Sequence, residues 1–275
     1  MRKILTILTV LTAVTFANSL QEIQKSKIIK IGIRHALPPF SDQDKSGNSH
    51  GFEVELAKAV GQKIVGKDGF VRLIVIEANE RVPFLEQNKV DLVIGNLVNT
   101  PERAKKVDFS TPYLSSYLSV LTRTEDNIEH LRQLNGKKLL YIKGTTTEEF
   151  IQTKRIKQAT WNECSGKLDC FNKIRNKEAD GYVHINILIA NLPLIDNTTE
   201  LGIEKINDQI GYGCVGIQKN NTELKDAVNT ALYELSQENF FAEQYKNYLE
   251  PFYRGTIEKE HLLLDDLYKM MLSGL

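Results

Sequence analysis

The chain has 275 residues, in which 35 basic and 35 acidic side chains cancel. That balance, with no basic run interleaved with aromatics, argues against nucleic acid as a partner, because tracking a phosphate backbone needs a concentrated positive stripe. The five histidines are scattered without metal-ligand spacing, so no metal and no other cofactor is expected.

At the start, Arg2 and Lys3 precede an apolar stretch from Ile4 to Phe16 and then the small residues Ala17 and Ser19. This is the make-up of a cleaved export leader, assigned to residues 1–19. The apolar stretch is short for a membrane span, and polar residues follow it directly. No cysteine stands at the expected cleavage point, so a freely diffusing exported protein is expected rather than a lipid-anchored one. About 250 residues remain, enough for two lobes that each bury a core.

The mature part alternates β-rich runs with amphipathic stretches, the pattern of a mostly parallel sheet flanked by helices. Ile28 to Ile33 reads as a first strand, ended by the loop Leu37-Pro38-Pro39-Phe40. Gly51 leads a helix in which Phe52, Leu56, Ala57, Val60 and Ile64 share a face. Strands at Val71 to Ile76 and Val90 to Ile94, with a helix near Arg81 to Asn88 between them, complete a βαβαβ unit. An extended run from Tyr117 to Thr122 leads to a second series. This comprises a strand at Lys138 to Ile142, helices at Thr146 to Lys154 and Cys170 to Lys177, a strand at Gly181 to Ile185 and a helix opening near Ile187. Ile210 to Gln218 reads as a return crossing and Asn221 to Leu249 as helix. In the last stretch, Leu262, Leu263, Leu267, Met270 and Met271 fall near one helical face, suited to packing on the protein's own core or on a partner.

Two turns invite an anion. In Thr100-Pro101-Glu102-Arg103, Thr100 can cap a helix whose first position is proline, and Arg103 adds a planar two-pronged donor in the first turn. In Gly144-Thr145-Thr146-Thr147-Glu148, Gly144 permits close backbone approach and Thr145 with Glu148 has capping-box spacing. A carboxylate held between two such turns, one per lobe, would close a cleft.

In their order, these segments resemble the polar-amino-acid type of bacterial periplasmic solute-binding protein, the soluble receptor of an ABC importer. The resemblance rests on Leu37-Pro38-Pro39-Phe40, Gly51-Phe52-Glu53-Val54-Glu55-Leu56-Ala57, Lys89-Val90-Asp91-Leu92, Thr100-Pro101-Glu102-Arg103 running into Val107-Asp108-Phe109-Ser110-Thr111-Pro112-Tyr113, and Gly144-Thr145-Thr146. It implies an α/β, two-lobed periplasmic-binding-protein fold of type II, with two crossing strands as the hinge. Lobe 1 would comprise residues 27–119 and 215–253, lobe 2 residues 120–214, and a C-terminal extension residues 254–275. It also implies a periplasmic, monomeric protein that binds a small carboxylate-bearing solute, an amino acid or analogue, and delivers it to a membrane ABC permease. Arg103 would clamp the carboxylate with Thr100, Asn96 and Val98, while Thr145 and Thr146 would reach it from the second lobe.

Several positions depart from that pattern. Ile185 stands where an aspartate usually holds the ligand ammonium, so either Glu53, Glu77 or Asn186 substitutes or the ligand is not an ordinary α-amino acid. Leu37, three residues before Phe40, replaces a stacking aromatic, and Ala78 is the expected opposite wall. The alternatives are a sensory or interaction protein with altered specificity, and a dehydratase-type enzyme on the same fold. The three cysteines leave a bridge between Cys164 and Cys170 open, with Cys214 read as a buried inert thiol.

Overall fold

The structure, a computed structural model, describes residues 18–206, 209–257 and 259. Most of the expected leader, and the amphipathic face from Leu262 to Met271, lie outside the described residues. Ser19, the last residue of that leader, caps the first helix, and Asn18 Nδ2 donates to Asp91 Oδ1 at 2.8 Å.

From its start the chain lays down α1 (Leu20–Ser26), β1 (Ile28–Ile33), the hairpin strands β2 (Asp42–Gln43) and β3 (Ser49–His50), and α2 (Phe52–Val65). There follow β4 (Phe70–Val75), α3 (Arg81–Glu86), β5 (Leu92–Ile94), α4 (Pro101–Ala104) and β6 (Val107–Ser116). The apolar positions of α2 that share a face, from Phe52 to Ile64, are buried. They cover β1, whose Ile29, Ile31 and Ile33 are fully enclosed. Strand β1 is interior because it pairs in parallel with β4 on one side and β5 on the other.

One continuous extended run then passes between lobes, broken only at Tyr117: β7 (Leu118–Arg123) already belongs to another sheet. That sheet gathers β8 (Lys138–Tyr141), α5 (Thr146–Gln152), β9 (Thr160–Glu163), α6 (Lys167–Arg175) and β10 (Gly181–Ile185). The short helices α7 (Asn186–Ile189) and α8 (Leu192–Ile195) and strand β11 (Thr199–Ile203) close the lobe. The chain returns as β12 (Gly211–Gln218), α9 (Thr222–Gln237), α10 (Phe240–Gln244) and α11 (Glu250–Tyr253).

The two five-stranded sheets run β4-β1-β5-β12-β6 and β11-β7-β10-β8-β9. In each sheet four strands run the same way and one crossing strand, β12 in the first and β7 in the second, runs against them, so two pairings per sheet are parallel and two antiparallel. Strand β12 pairs with β6 from Gly211 onward, so it lies within the first sheet ahead of the expected boundary at 215. Strands β6, β9 and β11 were not anticipated, and all three are sheet edges. An edge strand leaves one side unpaired, which is why β6 can hold Pro112. Cys164 and Cys170 form a disulfide between β9 and α6, with Cα atoms 5.5 Å apart. Cys214 is free and buried, and burial pushes its thiol up to about 12.

Candidate functional site

The loops that follow β1, β5, β8 and β10 meet where the two lobes face each other, the place where open α/β sheets bind ligands. Between them lies a cavity of about 20 Å³, room for roughly one water. Its first-lobe wall is Arg34, Leu37, Arg81, Asn96, Val98 and Arg103. The second lobe contributes Ile142, Thr145, Thr146, His184, Ile185 and Leu188. Val98, Thr146 and Ile185 also border an outer cleft of about 750 Å³.

The first-lobe wall is built on a buried acid. Glu53, at the start of α2, has no solvent exposure. It accepts from Asn96 N and Asn96 Nδ2, each at 2.7 Å, and from the Tyr113 hydroxyl at 2.6 Å. Asn96 has φ +52°, a conformation asparagine tolerates better than most residues, and Glu53 fixes both its backbone and its amide. Burial raises the pKa of Glu53 above the ordinary carboxylate range, against the lowering pull of Tyr113 and Asn96.

Thr100 caps α4 through Arg103 N at 3.3 Å, as the spacing predicts. The Arg103 side chain donates from Nη1 to the Val98 carbonyl at 2.8 Å and from Nη2 to Gly144 O at 3.0 Å, across the cleft. Thr100 Oγ1 donates to Glu149 Oε1 at 2.8 Å, a second cross-lobe bond. The capping box expected of Thr145 and Glu148 does not form. Thr145 Oγ1 instead donates to Ile142 O at 2.7 Å, and Glu148 Oε2 accepts from Gly144 N at 2.7 Å. That exchange draws the loop into a tight turn and leaves Thr145 at the N-cap of α5 without a side-chain cap.

The structure brings Arg103, Asn96, Val98, Thr145, Thr146, Leu37 and Ile185 to one cavity. Thr100 lines the outer cleft, and Ala78 a neighbouring recess beside Asn79 and Gly144. Phe40 does not line the cavity: it is fully buried in the first lobe, edge-on to Phe52 at 6.1 Å. None of the expected substitutes for the missing aspartate lines the cavity either. Glu53 is engaged beneath Asn96, Asn186 is enclosed with Oδ1 accepting from Tyr117 N, and the Glu77 side chain is 63% exposed.

Sequence reasoning missed Arg34, Arg81 and His184. A cation just past the end of a parallel strand was the available signal for Arg34. Arg81 was read only as a helix start. It is buried, donating from Nε to Ala78 O at 2.9 Å, from Nη1 to Gly95 O and Asn96 O at 2.9 and 2.6 Å, and from Nη2 to Gly144 O at 2.8 Å. Burial first, then repulsion from Arg103 and Arg34, pushes its pKa well below that of a free guanidinium. Burial does the same to Arg34 and Arg103, against Glu77 and Glu149 respectively. Burial, followed by Arg81 and Arg34, holds His184 down at about 3, so its imidazole is neutral and its Nδ1 accepts from Ile185 N at 2.8 Å.

Comparison with known proteins agrees with this architecture. The model of the bacterial extracellular solute-binding proteins, family 3, matches residues 29–251. The ABC transporter glutamine-binding protein of Bacillus subtilis (strain 168) is 24% identical over 235 residues, 85% of each chain. The crystal structure of a cysteine-binding protein from Campylobacter jejuni superposes with a TM-score of 0.82 at 28% identity, covering 89% of this chain and 98% of that one. An ancestral amino acid-binding protein described as a precursor of cyclohexadienyl dehydratase has a TM-score of 0.73 at 25% identity, over 83% and 98% of the chains. With its two mixed sheets, its crossing strands and a family match running nearly from first strand to last helix, the chain belongs to the bacterial extracellular solute-binding proteins of family 3.

Proposed function

We propose that this protein is a periplasmic receptor that holds a small carboxylate-bearing solute, an amino acid or analogue, between its lobes and delivers it to a membrane ABC permease. The observation that carries the reading is that Arg103 of the first lobe and Thr145 and Thr146 of the second line one cavity. A carboxylate there meets the Arg103 guanidinium from one side and the Thr146 hydroxyl from the other, so binding and lobe closure become one event. Relatives named as glutamine-binding and cysteine-binding proteins support an amino acid or analogue as the solute. The leader read over residues 1–19 supports export, and the protein acts as a monomer.

A dehydratase would need a positioned acid. Among the described residues the cavity wall has no carboxyl group, and Glu53 is tied to Asn96 and Tyr113, so binding without chemistry is the better-supported role. A thermal-shift screen of small carboxylates tests it. A solute with micromolar affinity at a hundredfold excess over Kd should stabilise the protein by about 2.7 kcal/mol, and a flat response across acids, amino acids and their amides would refute it.

A further inference from the structure

The cavity wall combines Arg34, Arg81 and Arg103 with apolar Leu37, Ile142, Ile185 and Leu188, and among the described residues it includes no aspartate or glutamate. Acids do lie near these cations, but behind them. Glu53 is beneath Asn96, Glu77 reaches Arg34 Nη2 at 3.5 Å with most of its own side chain in solvent, and Glu149 lies 3.9 Å from Arg103 Nε on the outer-cleft side. The face turned to a solute is therefore cationic, hydroxyl-bearing and apolar.

Arg34 is the unusual member. Its side chain is 11% exposed, its Nε has no hydrogen-bond partner among the described residues, and its one ion pair is the long contact to Glu77. Four donor bonds, by contrast, engage Arg81 with carbonyls. A buried guanidinium nitrogen without an acceptor is costly unless a ligand supplies one. Beside it, the Asn96 Oδ1 is also buried and unpartnered, a neutral acceptor suited to a hydroxyl.

We infer that the solute is a small organic acid without an α-ammonium, carrying a hydroxyl or oxo oxygen in its place and a net negative charge. This rests on the carboxylate-receptor reading above. An ammonium group in this cavity finds one neutral acceptor, Asn96 Oδ1, but it also meets guanidinium charges on one side and Ile185 and Leu188 on the other, with no carboxylate among the described lining residues to offset its desolvation. An oxygen at the same position accepts from Arg34 Nε, and a second carboxylate gains from all the cations.

Titration calorimetry with matched pairs decides the matter: L-glutamate against 2-oxoglutarate and L-2-hydroxyglutarate, L-aspartate against L-malate, and L-alanine against pyruvate and L-lactate. The expected result is at least about tenfold tighter binding of an ammonium-free member over its amino-acid partner. If the amino acid binds equally or more tightly in every pair that binds, the inference falls while the receptor reading stands; if no member of any pair binds, both fall. Arg34→Gln, checked for folding by its ligand-free melting curve, should weaken the preferred acid at least about tenfold. Unchanged affinity in that variant also overturns the assignment.

Discussion

Arg103 Nη2 donates to the carbonyl oxygen of Gly144 at 3.0 Å, and Arg81 Nη2 reaches the same oxygen at 2.8 Å. A single carbonyl of the second lobe is thus gripped by two cations of the first. Gly144 sits at φ +77°, and a Cβ there would lie 2.5 Å from both N and Cα of Asn79. Those atoms are backbone and cannot swing aside, so Gly144→Ala should hold the lobes apart. Affinity for the solute should fall at least about tenfold, and small-angle scattering should show little compaction on adding solute. An alanine variant that compacts and binds like the parent would remove Gly144 as the point of closure.

Arg103→Ala should weaken solute binding by about a hundredfold or more, on the order of 3 kcal/mol, because a charged bidentate bond is lost on a buried carboxylate. Arg103→Lys should fall between the two, since it restores charge without the planar fork. Calorimetry reads the affinities and far-ultraviolet circular dichroism the fold. Parental affinity in the alanine variant would eliminate the carboxylate clamp.

Thr100 Oγ1 and Glu149 Oε1 join the lobes at 2.8 Å. A double-mutant cycle of Thr100→Val and Glu149→Gln, measured as solute affinity, should give a coupling of about 1 to 2 kcal/mol. Additive single effects would mean that this bond does not contribute to closure.

His184 predicts an acid-sensitive term in stability. Its folded pKa of about 3 lies below the ordinary value near 6.5 of an unfolded chain. Between those values the unfolded state binds a proton that the folded state does not, so stability falls as pH drops from about 6.5 toward 3, by up to about 1.4 kcal/mol per pH unit. Glu53 works in the opposite sense. Its folded pKa is raised, so the folded state takes up a proton first as pH falls and gains relative stability there. His184→Asn keeps an acceptor for Ile185 N without a titrating ring. Urea-melt stability of this variant should depend less steeply on pH below 6.5 than that of the parent, and parallel profiles would show that His184 does not supply the term.

Local pattern was enough for the interior of the fold. The apolar stripe of α2, the buried runs of β1 and β10, and the cap, proline and arginine of Thr100 to Arg103 are all written over a few adjacent residues. The edge strands were not legible for the converse reason. Strand β9 is largely exposed and polar, and β6 carries Pro112, so neither shows the alternation that a half-buried strand needs. The exchange of a capping box at Thr145 for the Ile142 and Gly144 bonds depends on a turn tightened against the other lobe, which spacing alone cannot express.

The chain's sequence by itself determined the family, the two lobes and the Thr100 cap that sets Arg103 at the first turn of α4, because each follows from short-range periodicity, capping or motif order. Only the tertiary structure decided the character of the cavity. It moved Phe40 into the core and Glu53 beneath Asn96, and it carried Arg34 and Arg81 to the wall opposite Ile185, with His184 beside Ile185 on the second-lobe side. The physical reason is that charge and burial at a site are sums over groups far apart in the chain. Arg34 and Ile185 have no local signal that they will meet, and only the folded sheets place a guanidinium with an unpartnered Nε across from a wall that has no acid among the described residues.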